Sequence, residues 1–266
     1  CAAAGKEWAR KVYPELALDE AGERLWRAIL KASYADGGDA VKNWKKHSDE
    51  LHERCEKLGA LKLKTLHYRN SLGTDLAVEL PEGHFWAGGD ERCGSGAMFS
   101  ANIPSEEVFT LPKKTGVNGV VFASRPLSLN GNLIEGIRLA LRDGKIVSAD
   151  AARGADVLRD AIAMDEGASY FGEVALVPCD SPISNEGTLF YSTLFDENAS
   201  CHFAFGESYP CIAGAENMSR EELEARGANF SVTHVDFMVG TPDLSIRGET
   251  ADGRTLDVFR DGNFAI

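Results

Sequence analysis

The sequence has no apolar run approaching the 18 or so residues that a membrane-crossing helix needs, so none of its segments reads as one. No secretory leader pattern is visible. The six cysteines (Cys1, Cys55, Cys93, Cys179, Cys201 and Cys211) never fall into C-x-x-C spacing, which leaves no case for a zinc ribbon or a disulfide framework. Free thiols in a reducing cytoplasm are the expectation. No Gly-Lys-Ser/Thr follows Gly88, Gly89, Gly94 and Gly96, so these glycines read as a loop or a binding-site wall and not as a phosphate loop. The G-x-S-x-G elbow of serine hydrolases is missing too. Basic residues are in short supply: 28 Lys and Arg face 41 Asp and Glu, a formal charge of −13. That balance argues against nucleic acid and against an anionic membrane surface, both of which are bound through Lys and Arg. A metal, or a substrate with a free amino group, fits it better.

What remains is an ordinary globular composition of 266 residues, 44% apolar and 26% charged. Residues 6–59 read as helical, with a cap expected at Asp19 and a stripe of Leu25, Trp26, Ile29 and Leu30. After the break Asp36-Gly-Gly-Asp39, a second helix is expected from Ala40 to Leu58, solvated and charged, carrying His47, His52 and Cys55. From Lys62 the pattern shifts to strands: 63–68, 75–80, 117–124, 139–141 with 145–148, 173–178 and 232–239, with hairpin turns at Asp143-Gly144 and Asp252-Gly253. Helices return at 155–165, 196–205 and 219–226, the last opened by the capping box Ser219-Arg-Glu-Glu222. Because strands outnumber helices and hairpins join several of them, the expected class is α+β, with a mixed, largely antiparallel sheet and flanking helices. A helical lead-in (1–60) and a strand-rich core (61–266) make up one expected domain, 1–266.

Glu107, Glu173, His202, His234 and Asp236 carry the chemistry, because carboxylate oxygens and imidazole nitrogens are divalent-metal ligands. His234-Val-Asp236 lies in a strand-like run, and side chains two apart on a strand share a face. A hydrogen-bonded structural pair is the alternative there. Glu173 opens a nearly continuous apolar strand, where a buried carboxylate needs an ion-pair partner or a cation. His202 is expected on a helix, one face of which would also hold Phe205 and Tyr209, and a core histidine is its plainer reading. In Glu106-Glu107, extended backbone sends the two side chains opposite ways, so only one is expected to point inward, and two exposed acids in a loop is the plainer reading. An oxygen-rich set of this size exceeds what one tetrahedral ion needs and suits a two-metal site.

The strings Asn102-Ile-Pro-Ser-Glu-Glu-Val-Phe-Thr110, Asn130-Gly-Asn-Leu-Ile134, Gly172-Glu-Val-Ala-Leu-Val-Pro178, Asp180-Ser-Pro-Ile-Ser184, Tyr191-Ser-Thr-Leu-Phe-Asp-Glu-Asn-Ala-Ser-Cys-His202 and Thr233-His-Val-Asp-Phe-Met-Val-Gly240 resemble the aminopeptidase T, aminopeptidase S and PepS family. The resemblance runs in order from about Trp8 to the end. It implies the catalytic domain of a two-domain metallopeptidase, with the family's further N-terminal domain missing here and Cys1 marking an incomplete sequence. It also implies two divalent ions (zinc, cobalt, manganese or magnesium) on Glu107, Glu173, His202, His234 and Asp236. Glu107 is chosen over Glu106 on this match alone. Catalytic roles fall to Glu173 and to Tyr209, in Ser208-Tyr-Pro210, as donor to the tetrahedral oxyanion. Expected partners are peptides with a free N-terminus and a second copy of the chain, with neither nucleic acid nor membrane. The alternatives are an impaired fragment that only binds metal or dimerises, and another metallohydrolase such as an amidase.

Overall fold

The computed structural model describes residues 2–266. Three helices come first: α1 (Lys6–Val12), α2 (Leu18–Ala32) and α3 (Ala40–Leu61). Then follow β1 (Leu63–Arg69), β2 (Asp75–Glu79), β3 (Glu91–Arg92), β4 (Met98–Phe99), β5 (Val108–Thr110), β6 (Val117–Phe122), β7 (Leu127–Leu129), β8 (Asn132–Ile134), β9 (Arg138–Arg142) and β10 (Lys145–Asp150). The remainder is α4 (Ala155–Ile162), β11 (Phe171–Leu176), α5 (Pro182–Glu186), α6 (Thr193–Glu197), β12 (His202–Gly206), α7 (Arg220–Ala225), β13 (His234–Met238), β14 (Ser245–Thr250), β15 (Thr255–Arg260) and β16 (Asn263–Phe264).

An eight-stranded sheet runs β10-β9-β6-β2-β1-β14-β15-β16, and a four-stranded sheet runs β13-β12-β11-β5. The pairings in both are antiparallel, as a hairpin-rich sequence dictates. The larger sheet shows the alternation of a half-buried surface: β1 is buried at Leu63, Thr65, Leu66 and Tyr68 and exposed at Lys64 and His67. The smaller sheet is buried in its two central strands, with every residue of β11 and β12 inside. Its one face is aromatic: Phe203 stacks on Phe171, meets Tyr68 edge-on and lies tilted against Phe237. Phe171 reaches that face through a bulge, since the register shifts between Phe171 and Glu173. Gly172 sits in the bulge, where an added Cβ would lie 2.2 Å from the Glu207 carbonyl oxygen. The bulge is what lets Phe171 face the core while Glu173 faces the other way.

Several local expectations are corrected. The helix expected over 196–205 stops at Glu197, and His202 opens strand β12 instead. Apolar Phe203 and Phe205 alternate with His202, Ala204 and Gly206, a period of two that places Phe205 on the face opposite His202. Tyr209 lies in the loop beyond β12 and not on a helix. The first residue of α2 is Leu18 with Ala17 at its N-cap, so Asp19 belongs to the acidic first turn and is not the cap. Helix α3 continues past Gly59 to Leu61 and ends at Lys62 in the left-handed region. Nor is α3 a solvated helix: His47, Ser48, Leu51 and Leu58 are buried along one side of it. The capping box at Ser219 and Glu222 is formed as expected.

Candidate metal centre

The face of the smaller sheet opposite the aromatic one holds the ionisable residues. Glu173 on β11 lies across from Ala204 on β12, which lies across from Asp236 on β13. His202 lies across from Ala175, and His234 across from Gly206. Large polar side chains are thus separated by Ala175, Ala204 and Gly206, whose small size leaves their heads room to converge. Glu107 precedes β5, two residues before Phe109, which pairs with Ala175, so it joins the same face from the neighbouring strand.

The heads meet in two trios that share one residue, Glu107–Glu173–His202 and Glu173–His234–Asp236; within each, the ligand atoms lie within 4.8 Å of one another. His202 Nε2 is 3.0 Å from Glu107 Oε2 and 3.5 Å from Glu173 Oε1. On the other side, His234 Nε2 is 3.5 Å from Glu173 Oε2 and 3.2 Å from Asp236 Oδ1. The Glu173 carboxylate therefore offers one oxygen to each histidine. Both rings have their other nitrogen tied to a backbone carbonyl: His202 Nδ1 donates to Ser200 O at 3.1 Å and His234 Nδ1 to Glu207 O at 2.8 Å. A neutral ring donating from Nδ1 presents a lone pair at Nε2, the arrangement of a metal-ligating histidine with an outer hydrogen bond.

The electrostatics show why a cation suits the cluster. Burial pushes Glu173 up to about 7, with Glu107 and Asp236 adding repulsion. Burial works against both imidazolium ions, but the carboxylates prevail: Glu107 and Glu173 raise His202 well above its ordinary value, and Asp236 carries His234 up to about 9. Asp236 is held low in spite of its burial by His234 and His202. Buried carboxylates in this density either borrow protons or share cations, and the oxygen and imidazole donors are those that hold divalent metal. The residues present fit divalent metal.

One further carboxyl belongs to the cluster and was not singled out in the sequence. Glu197, the last residue of α6, is hydrogen-bonded with Asp236 and is pushed up to about 10 by burial and by Asp236 and Glu107. Read as one of the acidic first-turn residues of a helix ending beyond His202, it lost its signal; its place five residues before His202 was the available clue. Glu106, considered in sequence as one of two residues of which only one points inward, is buried like Glu107. The alternation holds, but the outer side is covered by α3, and the Glu106 carboxylate accepts from Tyr34 Oη at 2.9 Å. Its amide donates to Asn198 Oδ1 at 2.7 Å, tying the Glu107 strand to the residue after Glu197. Gly88 packs against the backbone of Glu107, where a Cβ would lie 2.6 Å from its carbonyl oxygen, whereas Gly89 packs against Ser48 of α3.

Tyr209 stands at the mouth. Its ring is 5.4 Å from that of His234 and 5.9 Å from that of Phe109, and the residue is 58% exposed. Burial of the hydroxyl and the charges of Glu173 and Asp236 raise its pKa, which keeps it a hydrogen-bond donor.

Comparison with known proteins agrees with this geometry. The model of a family described as thermophilic metalloprotease (M29) matches residues 1–264. Aminopeptidase AmpS of Bacillus subtilis is 49% identical over 99% of the chain, and aminopeptidase 2 of Geobacillus stearothermophilus is 45% identical over 97%. The structure titled wild-type AmpT from Thermus thermophilus superposes with a TM-score of 0.90 at 42% identity over 99% of the chain. The chain spans 64% of the length of AmpS, 63% of aminopeptidase 2 and 64% of AmpT.

Proposed function

This chain belongs to the M29 metalloprotease family, and from that premise we propose that it is the catalytic region, residues 1–266, of a metal-dependent aminopeptidase. It would release N-terminal residues from peptides with two divalent ions held by Glu107, Glu173, His202, His234 and Asp236. The observation that carries the reading is the divided carboxylate of Glu173, one oxygen toward each histidine, which makes one ligand common to two adjacent positions. When bound, divalent ions at such paired positions supply Lewis acidity and a nucleophile at neutral pH.

The chain's own groups do the rest. Glu173 is the catalytic carboxylate in the sense that it fixes the two positions relative to each other. Tyr209, a donor at the mouth, hydrogen-bonds the oxyanion that develops on the scissile carbonyl, a contact strongest in the transition state. The surrounding carboxylates attract the protonated amine of a free N-terminus. Glu106 is unsuited to proton transfer, since its oxygens are engaged by Tyr34 on the far side of the strand. We assign that role to Glu197, the carboxyl of the cluster that forms no ion pair with His202 or His234. Zinc and cobalt suit the imidazole and carboxylate donors. A cytoplasmic setting is supported by Cys55, Cys93, Cys179, Cys201 and Cys211, all free thiols. The homodimer implied by the family resemblance is checked by light scattering.

The test is hydrolysis of an aminoacyl-p-nitroanilide by the chelated chain, before and after zinc or cobalt is restored. Metal-restored activity that disappears when the substrate is N-acetylated is the expected result. Equal turnover of the acetylated substrate would point to an amidase instead. The incomplete span of the relatives favours one second reading, a region that takes up metal without turnover. Stoichiometric metal binding with no hydrolysis would select it.

A further inference from the structure

A separate pocket lies behind the sheet end that carries His202. It is a cavity of about 460 Å³ between the β6–β7 connection, α5 and the loops that follow β13 and β15, within the size range of small-molecule sites. Arg125 is the only charged side chain in its lining. The residue is half-buried and makes no hydrogen bond, ion pair or aromatic contact with any described residue. Exposed arginines of the same chain do find partners, such as Arg254 with Asp252 at 2.9 Å and Arg260 with Asp257 at 2.6 Å. The charge that acts most strongly on Arg125 is that of Asp196, whose two oxygens already accept the amides of Phe190 and Ser192, followed by Cys179 in the same lining. Ser124, beside it, also lines the cavity, and its hydroxyl is buried without a partner. The backbone is fixed there, because the Ser124 amide donates to Met238 O at 2.8 Å. A guanidinium has five N–H donors in a planar fork, and withdrawing it from water without an acceptor is unfavourable. Burial already lowers its pKa.

We propose that this cavity is a binding site for a small organic anion, whose carboxylate or phosphate is held by the fork of Arg125 and the hydroxyl of Ser124. Carboxylate and phosphate are the groups that match a guanidinium with two parallel hydrogen bonds. In a chain with a net charge of −13, a lone unpaired cation in a cavity is a selective local attraction for an anion. The site is distinct from the metal cluster but shares a wall with it: Ser200 lines the cavity, and its carbonyl accepts the Nδ1–H of His202.

Calorimetric titration of the chelated chain with inorganic phosphate, acetate and glycerol phosphate tests the proposal without reference to peptidase activity. Saturable one-to-one binding of at least one probe is expected. Glycerol phosphate without acetate would mark a phosphate ligand, and acetate alone a carboxylate ligand. Arg125→Gln should weaken binding by about 10- to 100-fold, the range of a charge-assisted hydrogen bond, and Arg125→Lys should retain part of it. Ser124→Ala, which leaves the charge in place, should weaken binding several-fold and serves if Arg125→Gln does not fold. Absence of saturable binding overturns the proposal. So does undiminished binding in the Arg125→Gln or Ser124→Ala chain, the result expected if the anion sits at the metal ligands instead.

Discussion

The two trios of the metal cluster use the same donor chemistry in different surroundings. Glu107–Glu173–His202 is deep: the His202 side chain is 1% exposed and that of Glu107 11%. Glu173–His234–Asp236 lies at the rim, where the His234 side chain is 25% exposed and Tyr209 opens onto solvent. The deep trio takes Glu173 and His202 from β11 and β12, the two central strands of the sheet, where backbone pairing on both sides holds them, and Glu107 from the residue just before β5. The rim trio draws His and Asp together from β13, one of the two edge strands of that sheet. An ion at the deep position is therefore expected to be retained, and one at the rim to exchange. The position where chemistry on an incoming peptide has to occur is also the one reachable from outside.

The largest expected effect comes from the shared residue. Glu173→Gln weakens both positions at once, so metal content and peptide hydrolysis should both collapse to background. Retention of full metal content would separate the two trios. Next in size are the variants confined to one trio. Glu107→Gln should empty the deep position and Asp236→Asn the rim position, each leaving one ion. If both variants lose the same ion, as judged by the visible spectrum of the cobalt-loaded chain, the division into deep and rim positions fails.

Tyr209→Phe sharpens the comparison on the rim side. Loss of an oxyanion donor lowers kcat by about 10²–10³-fold, with KM and metal content little changed. A Phe variant within about twofold of the parent, well short of the loss typical of such a donor, would reduce Tyr209 to packing against His234 and Phe109.

The smallest effect is a pH dependence of the metal-free chain. In the folded state His234 is raised from 6.5 to about 9, so the stability it contributes is complete below 6.5 and is lost as pH climbs through 9. Glu173, raised from 4.5 to about 7, holds its proton more tightly folded than unfolded, and its ionisation lowers stability in the same direction. The melting temperature without metal should decline from pH 6 to 9, and zinc should flatten the decline. A metal-free melting temperature that rises over that range would contradict the assignment.

Much of this was legible in the sequence because period-two patterning survives in short strands. His234-Val-Asp236 announced a shared face, and Glu173 was conspicuous as a carboxylate opening an apolar run. The residue choice at Glu107 came only from family resemblance, since alternation alone leaves Glu106 and Glu107 equivalent. What stayed hidden depended on contacts distant in sequence. The burial of Glu106 requires α3 and Tyr34 to cover the strand. The strand character of His202 was masked because acidic Asp196 and Glu197 mimic a helix start, and the same misreading concealed Glu197. The bulge at Gly172, which turns Phe171 and Glu173 to opposite faces, follows from the close approach of Glu207 and from no local signal.

The central claim is that one carboxylate organises two metal positions. Equilibrium dialysis of the chain against cobalt, with the bound metal counted, tests it most directly. The account predicts two ions per chain, one in Glu107→Gln, one in Asp236→Asn and none tightly held in Glu173→Gln. A single ion per parent chain, or two retained after Glu173→Gln, would contradict it.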